Sequence, residues 1–184
     1  MLAYVFWHWR RPTVPAADYE ARQRGFHAAL AAAPPPGFEG SFSVALSGAP
    51  WAAAGADAYE DWYLVRDFAA LGSLNDAAVT ATRAAPHDAA AAVAADGTAG
   101  IYRLRQGAVL REPRYAHWFA KPDGESYGRF FDEMAPRVAE ASGALWTRQM
   151  TLGPGYEFCL HAAERVPLPT GIRTVALPLR AAWR

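Results

Sequence analysis

The feature that most constrains this chain is an internal echo. Tyr4, Val5, Phe6 and Trp7 near the N-terminus are answered by Tyr115, Ala116, His117 and Trp118 past the middle. Tyr19, at the head of the first predicted helix, is answered by Tyr127, and Tyr59-Glu60-Asp61-Trp62 by Tyr156-Glu157-Phe158-Cys159. Self-similarity in a fixed order implies two like units that bury their apolar faces against each other.

Each half then reads as alternating elements. Residues 1–9 are aromatic and β-prone and predict a strand, closed by Pro12 and Pro15. Residues 18–33 place Tyr19, Phe26, Leu30 and Ala33 at helical spacing, and Pro34, Pro35, Pro36 and Gly37 stop the helix. Residues 38–46 alternate with a period of two, a strand with unlike faces. A Gly- and Ala-rich loop, 47–58, leads to a third strand at 59–66. Asp67 is placed to cap a short helix with Phe68, Leu71 and Leu74 on its buried side. Residues 75–95 are alanine-rich and predict two short helices broken near Pro86, followed by a strand at 98–105.

After Glu112-Pro113 the pattern restarts: a strand at 114–120, then a helix at 126–141. Pro136 is expected to kink that helix or shift its start. Strands at 145–152 and 156–162 are joined through a tight hairpin at Gly153-Pro154-Gly155. The proline-rich stretch 166–171 replaces the second helix. A last strand at 173–179 contains Pro178 and is expected at a sheet edge.

Strand-helix-strand-strand-helix-strand is the ferredoxin-like unit, whose antiparallel sheet carries helices on one face only. The expected fold is therefore α+β: tandem ferredoxin-like units, 1–110 and 111–184, whose two sheets face each other as a barrel with helices outside. In this element order and aromatic pattern the chain resembles the dimeric α/β-barrel superfamily in a fused, two-copy form. The resemblance spans nearly the whole chain and rests on no diagnostic motif. It implies a ligand pocket between sheet and helices or inside the barrel. The superfamily includes cofactor-free monooxygenases, haem-handling relatives of chlorite dismutase and small-molecule isomerases, so the fold does not choose the function.

Composition excludes several classes. Eighteen basic residues balance eighteen acidic ones, which argues against nucleic acid as a partner. The chain is 52% apolar, too apolar for disorder. It contains 42 alanines, so 24 Trp, Tyr and Phe residues carry much of the core. No run of 18 apolar residues exists to span a membrane, and the N-terminus lacks the order of a signal peptide. Cys159 is the only cysteine, which excludes an intrachain disulfide and a several-cysteine zinc site. One thiol fits a reducing cytoplasm. Seventeen of the eighteen basic residues are Arg, a sign of coding bias that lowers the weight of any single arginine.

Alternation decides which side chains share a strand face. Tyr4, Phe6 and His8 point one way and Val5, Trp7 and Trp9 the other. Tyr115, His117 and Phe119 oppose Ala116 and Trp118. The mixed aromatic and imidazole faces suit a barrel interior or pocket wall, the others packing under helices. Glu157, Cys159 and His161 share a face, as do Thr147, Gln149 and Thr151. The expected site thus joins His117 or His161 as general base, with Glu157 orienting the imidazole. Tyr4, His8, Tyr115, Thr147 and Gln149 would hold the ligand. No metal-ligand spacing is present. Three functional readings follow: an enzyme without a tightly held cofactor acting on a hydrophobic or aromatic compound; a non-catalytic ligand-binding or assembly module; or a haem protein with His117 or His161 as axial ligand. A homodimer through an exposed sheet edge or the Trp51 and Trp62 region is a further expectation.

Overall fold

Strand β1, Leu2–Arg10, lies at the centre of the first half and pairs antiparallel with two later strands on its flanks. The computed structural model describes residues 1–46, 48–52, 56–152 and 155–183. Along the chain β1 is followed by helix α1 (Ala16–Ala32), β2 (Phe38–Leu46), β3 (Ala58–Val65), α2 (Phe68–Ala78), a 3-10 turn (Ala81–Arg83), α3 (Ala84–Ala91) and β4 (Ala94–Gly107). The second half supplies β5 (Tyr115–Phe119), α4 (Tyr127–Glu140), β6 (Ala144–Thr151), β7 (Phe158–Ala162) and β8 (Thr174–Trp183).

The eight strands close into one antiparallel barrel in the order β1-β3-β2-β8-β5-β7-β6-β4. The first half contributes β4-β1-β3-β2 and the second β8-β5-β7-β6, the same order of first, second, third and fourth strands. Each half joins its neighbour through its second and fourth strands, β2 to β8 and β6 to β4. Closure leaves no free edge among the eight strands. The last strand is therefore not the edge expected from Pro178: β8 pairs with β5 through residues 174–178 and with β2 through residues 179–183. Pro178 sits where one ladder hands over to the other, so its missing N–H costs little.

Helices α1 and α4 form where expected, but the break expected near Pro86 does not: Pro86 lies in the first turn of α3, where its missing N–H has no helical partner to lose, and β4 begins at Ala94. Asp67 caps α2 by accepting a hydrogen bond from the Ala70 N–H at 2.9 Å, and Ser126 caps α4 through the Arg129 N–H. Helix α4 begins at Tyr127 and runs through Pro136. Leu74 is buried under α2, but Phe68 is exposed. No helix lies between β7 and β8 among the described residues. The expected Gly153-Pro154-Gly155 turn falls largely outside the described residues, although β6 and β7 do pair as a hairpin.

The barrel interior is filled by aromatic rings. Trp7, Phe42, Trp62, Tyr102, Trp118 and Trp146 form one buried cluster with Val5, Val44 and Cys159. Outside the barrel, α1, α2 and α3 cover one stretch of sheet through Phe26, Leu30, Leu74, Tyr63 and Val65. Helix α4 and the 163–173 segment cover the other through Phe130, Met134, Val138, Phe158 and Leu160. Gly107 needs to be glycine. Its φ is +79°, and a Cβ there would stand 1.9 Å from the Gly143 carbonyl oxygen.

On β1 and β5 the strand faces are inverted relative to the sequence expectation, whereas on β7 Cys159 and His161 face the barrel as expected. Val5, Trp7, Ala116 and Trp118 point into the barrel, while Tyr4, Phe6 and Phe119 point outward under the helices. His8 and His117 therefore lie outside the barrel and His161 inside it. Trp62 lies at the barrel centre, fully buried, and offers no surface for chain pairing.

Candidate functional site

A cavity of about 490 Å³ lies between the first-half sheet and its helices. Strands β1, β3 and β4 provide Tyr4, Phe6, Asp61, Tyr63 and Gly97; α1 provides Gln23, Phe26 and Leu30. Helices α2 and α3 close it with Leu71, Leu74, Asn75, Ala78, His87 and Ala90. Its size and its mostly apolar wall, with a few convergent polar groups, are those of a small-molecule site.

The polar centre of the wall is Asp61, only 1% exposed. Alternation on β3 turns it outward toward α1, where two buried imidazoles grip it. His8 Nε2 stands 3.1 Å from Oδ2 and His27 Nε2 stands 3.3 Å from Oδ1. Both imidazoles thus approach the carboxylate through Nε2, one at each oxygen. The Tyr63 hydroxyl donates to Oδ2 at 3.0 Å. Behind the imidazoles, His8 Nδ1 meets the Tyr19 hydroxyl, and His27 Nδ1 lies 2.7 Å from Ser41 Oγ. A carboxylate can only accept, so each imidazole turns an Nε2–H toward Asp61. Burial pushes the Asp61 carboxyl up, but His8 and His27 outweigh it and hold the group well below the usual carboxylate range.

The neighbouring residue faces the other way. Glu60 is fully buried inside the barrel and accepts three indole N–H bonds: Trp7 and Trp118 donate to Oε1 at 3.2 and 3.1 Å, and Trp62 donates to Oε2 at 3.3 Å. Burial pushes its carboxyl up and the three indoles oppose this, leaving it raised to about 7. Glu60 and Asp61 were quoted in the sequence only as part of an echo. Two adjacent carboxylates in a strand with buried neighbours on both sides are the signal that marks them, because such groups persist only where partners await them.

The expected site residues are dispersed. Tyr4 lines the cavity, and His8 lies behind its wall against Asp61. His161 lies in the barrel, edge-on to Trp62 at 4.4 Å, with neither ring nitrogen hydrogen-bonded. Burial, with His117 nearby, lowers it to about 3. His117 lies outside the barrel. The Val166 N–H donates to its Nε2 at 3.0 Å, and its Nδ1–H reaches the Leu160 carbonyl at 3.3 Å. Both nitrogens are engaged by backbone, and burial lowers its proton affinity. Tyr115 packs beside His117, with ring centroids 6.2 Å apart. Glu157 orients no imidazole; it accepts from the Tyr127 hydroxyl at 2.5 Å and the Lys121 N–H at 3.1 Å. Gln149 is exposed and accepts from Arg103, and Thr147 flanks Trp146 on the outward face of β6.

Neither His117 nor His161 borders the cavity, so the two imidazoles on which a haem reading stood do not fit an axial ligand there. Among the described residues no group of three His, Cys, Asp or Glu side chains could hold a metal ion. No helix is long and apolar enough to cross a membrane. The buried Cys159 thiol is pushed well up by burial, which makes it unreactive.

Strand register shows what the second half has in place of this site. Trp7 pairs with Glu60 across β1 and β3, and Trp118 pairs with Cys159 across β5 and β7. Cys159 thus holds the position of Glu60, Leu160 that of Asp61, and Phe119 that of His8. The echo of Glu60 at Glu157 is two residues out of structural step. Where the first half has carboxylate, imidazole and cavity, the second is packed with apolar side chains.

No protein-family profile matches this chain, and no curated protein matches it. Solved structures do. An anthrone oxidase-like protein superposes with a TM-score of 0.50 at 8% identity, over 98% of this chain and 93% of the other. A protein assigned as a monooxygenase from Lactobacillus acidophilus NCFM superposes with a TM-score of 0.61 at 12% identity, over 98% and 94%. A protein assigned as a chlorite dismutase gives a TM-score of 0.49 at 12% identity, over 98% and 95%. At such identities the likeness is one of fold, the α+β barrel.

Proposed function

We propose that this chain binds and acts on a small, largely apolar molecule in the first-half cavity, without a tightly held cofactor, and that Asp61 is the group that meets it. One observation carries this reading. A carboxylate buried to 1% exposure, gripped by two imidazoles, stands in the wall of a cavity of about 490 Å³ whose lining is otherwise mostly apolar. Burying such a group costs several kcal/mol unless it is matched. His8, His27 and Tyr63 supply that match.

Asp61, held ionised by its two imidazoles, acts as a fixed acceptor that orients a ligand O–H or N–H. Tyr19 and Ser41 hold the two imidazoles in place behind the carboxylate. The aromatic and aliphatic wall excludes water and holds the carbon skeleton.

The repeated strand order and the matched Trp7 and Trp118 positions support reading residues 1–110 and 111–184 as two ferredoxin-like copies in one polypeptide. On this reading the first copy keeps the ligand site and the second is filled with side chains.

The test is titration with Nile red, a neutral apolar dye. Saturable fluorescence at one dye per chain is expected, and Ala78→Trp, which places an indole in the cavity, should abolish it. Undiminished binding in folded Ala78→Trp refutes the location.

A further inference from the structure

Resting on that reading of the cavity, the lining also specifies the charge of its occupant. We infer that the cavity selects an organic cation, an aromatic or aliphatic amine, over neutral and anionic molecules of the same shape.

The lining contains no Lys or Arg. Its imidazole, His87, stands 3.1 Å from the carboxylate of Asp88. It does contain two carboxylates, Asp61 at the buried end and Asp96 on exposed backbone beside Gly97. An anion here would be stripped of water with no cation to receive it, next to two like charges. A neutral ligand brings no charge to set against them, whereas an ammonium brings a full positive charge toward Asp61 and Asp96.

The apolar wall adds a second preference of the same sign. Tyr4, Phe6, Phe26 and Tyr63 all face the cavity, with Tyr4 and Phe26 each 6.1 Å from Tyr63, centroid to centroid. Aromatic faces present negative potential and attract cations, more strongly when water is excluded. Gly97 makes room for this wall, because a Cβ there would meet the Phe6 ring at 2.5 Å.

The experiment compares three naphthalenes of matched shape by calorimetric titration of the full chain at pH 7: 2-naphthylmethylamine, 2-naphthalenemethanol and 2-naphthoate. The amine is expected to bind about tenfold or more tighter than the alcohol, and the naphthoate not measurably. Asp96→Asn, at an exposed position, should cut the amine-to-alcohol ratio about threefold, and Asp61→Asn, checked for folding by circular dichroism, should remove most of the remainder. Equal binding of amine and alcohol overturns the charge selection while leaving the cavity reading intact. Failure of all three to bind, or binding undiminished in Ala78→Trp, overturns the cavity reading itself.

Discussion

Replacing Glu60 by Gln should change how stability depends on pH, by an amount set by the tryptophan cage. In the folded barrel Glu60 holds its proton up to about pH 7, against 4.5 for an ordinary Glu. Between these values the folded state carries one more proton than the unfolded state, so Glu60 makes stability fall as pH rises. The loss is about 1.4 kcal/mol per pH unit and about 3 kcal/mol in all. His161 acts in the opposite sense. Its imidazole stays neutral in the barrel down to about pH 3, against 6.5 when unfolded, so its contribution is full above 6.5 and is lost as pH falls. Between pH 4.5 and 6.5 the two nearly cancel in the native protein. In Glu60→Gln only the histidine remains, and stability should climb with pH across that interval. The amide also turns an N–H toward the Trp62 indole, a pH-independent cost of about 1 to 2 kcal/mol. Urea unfolding followed by circular dichroism from pH 4.5 to 8 reads both. The variant-minus-native difference should shift by about 3 kcal/mol in favour of the variant across the range. Parallel curves would refute the protonated, caged carboxyl.

Three further outcomes are expected. Asp61→Asn leaves two imidazoles facing an amide and should cost about 3 to 5 kcal/mol at pH 7 in urea unfolding; because the folded Asp61 carboxyl lies below its ordinary value of 3.8, the deficit should shrink as pH falls below about 4. His117→Phe frees the Val166 N–H and should raise hydrogen exchange at that amide while lowering stability by about 1 to 2 kcal/mol, with Nile red binding unchanged. Gly107→Ala forces a Cβ against the Gly143 carbonyl at positive φ and should lower stability by about 3 kcal/mol or more in the same unfolding assay.

Much of the architecture was legible in the chain. Helical spacing placed α1 and α4 within two residues, Asp67 was recognisable as a cap, and the restart at Tyr115 marked the second half. Proline misled at Pro178, because a closed barrel has positions where a strand exchanges one partner for another, and local sequence does not reveal them. Part of the cavity wall was legible: Tyr4 and His8 were placed on one strand face, and both lie on the outer face of β1, Tyr4 in the wall and His8 against Asp61. His27 and Asp61 were missed because they come together only when α1 packs across β3. His117 and Glu157 looked like chemistry but hold loops, since their partners are a backbone amide 49 residues away and a helix-terminal tyrosine.

Residue order alone determined the number of strands, their sequence along the chain and which side chains share a face. It could not determine which face looks inward. In an ordinary sheet one face is wet and alternation of polarity settles the matter. Here helices cover the outside and the barrel closes on the inside, so both faces are dry and every residue of β3 is buried. Only the closure of the barrel turned Glu60 into the tryptophan cage and its neighbour Asp61 toward the cavity.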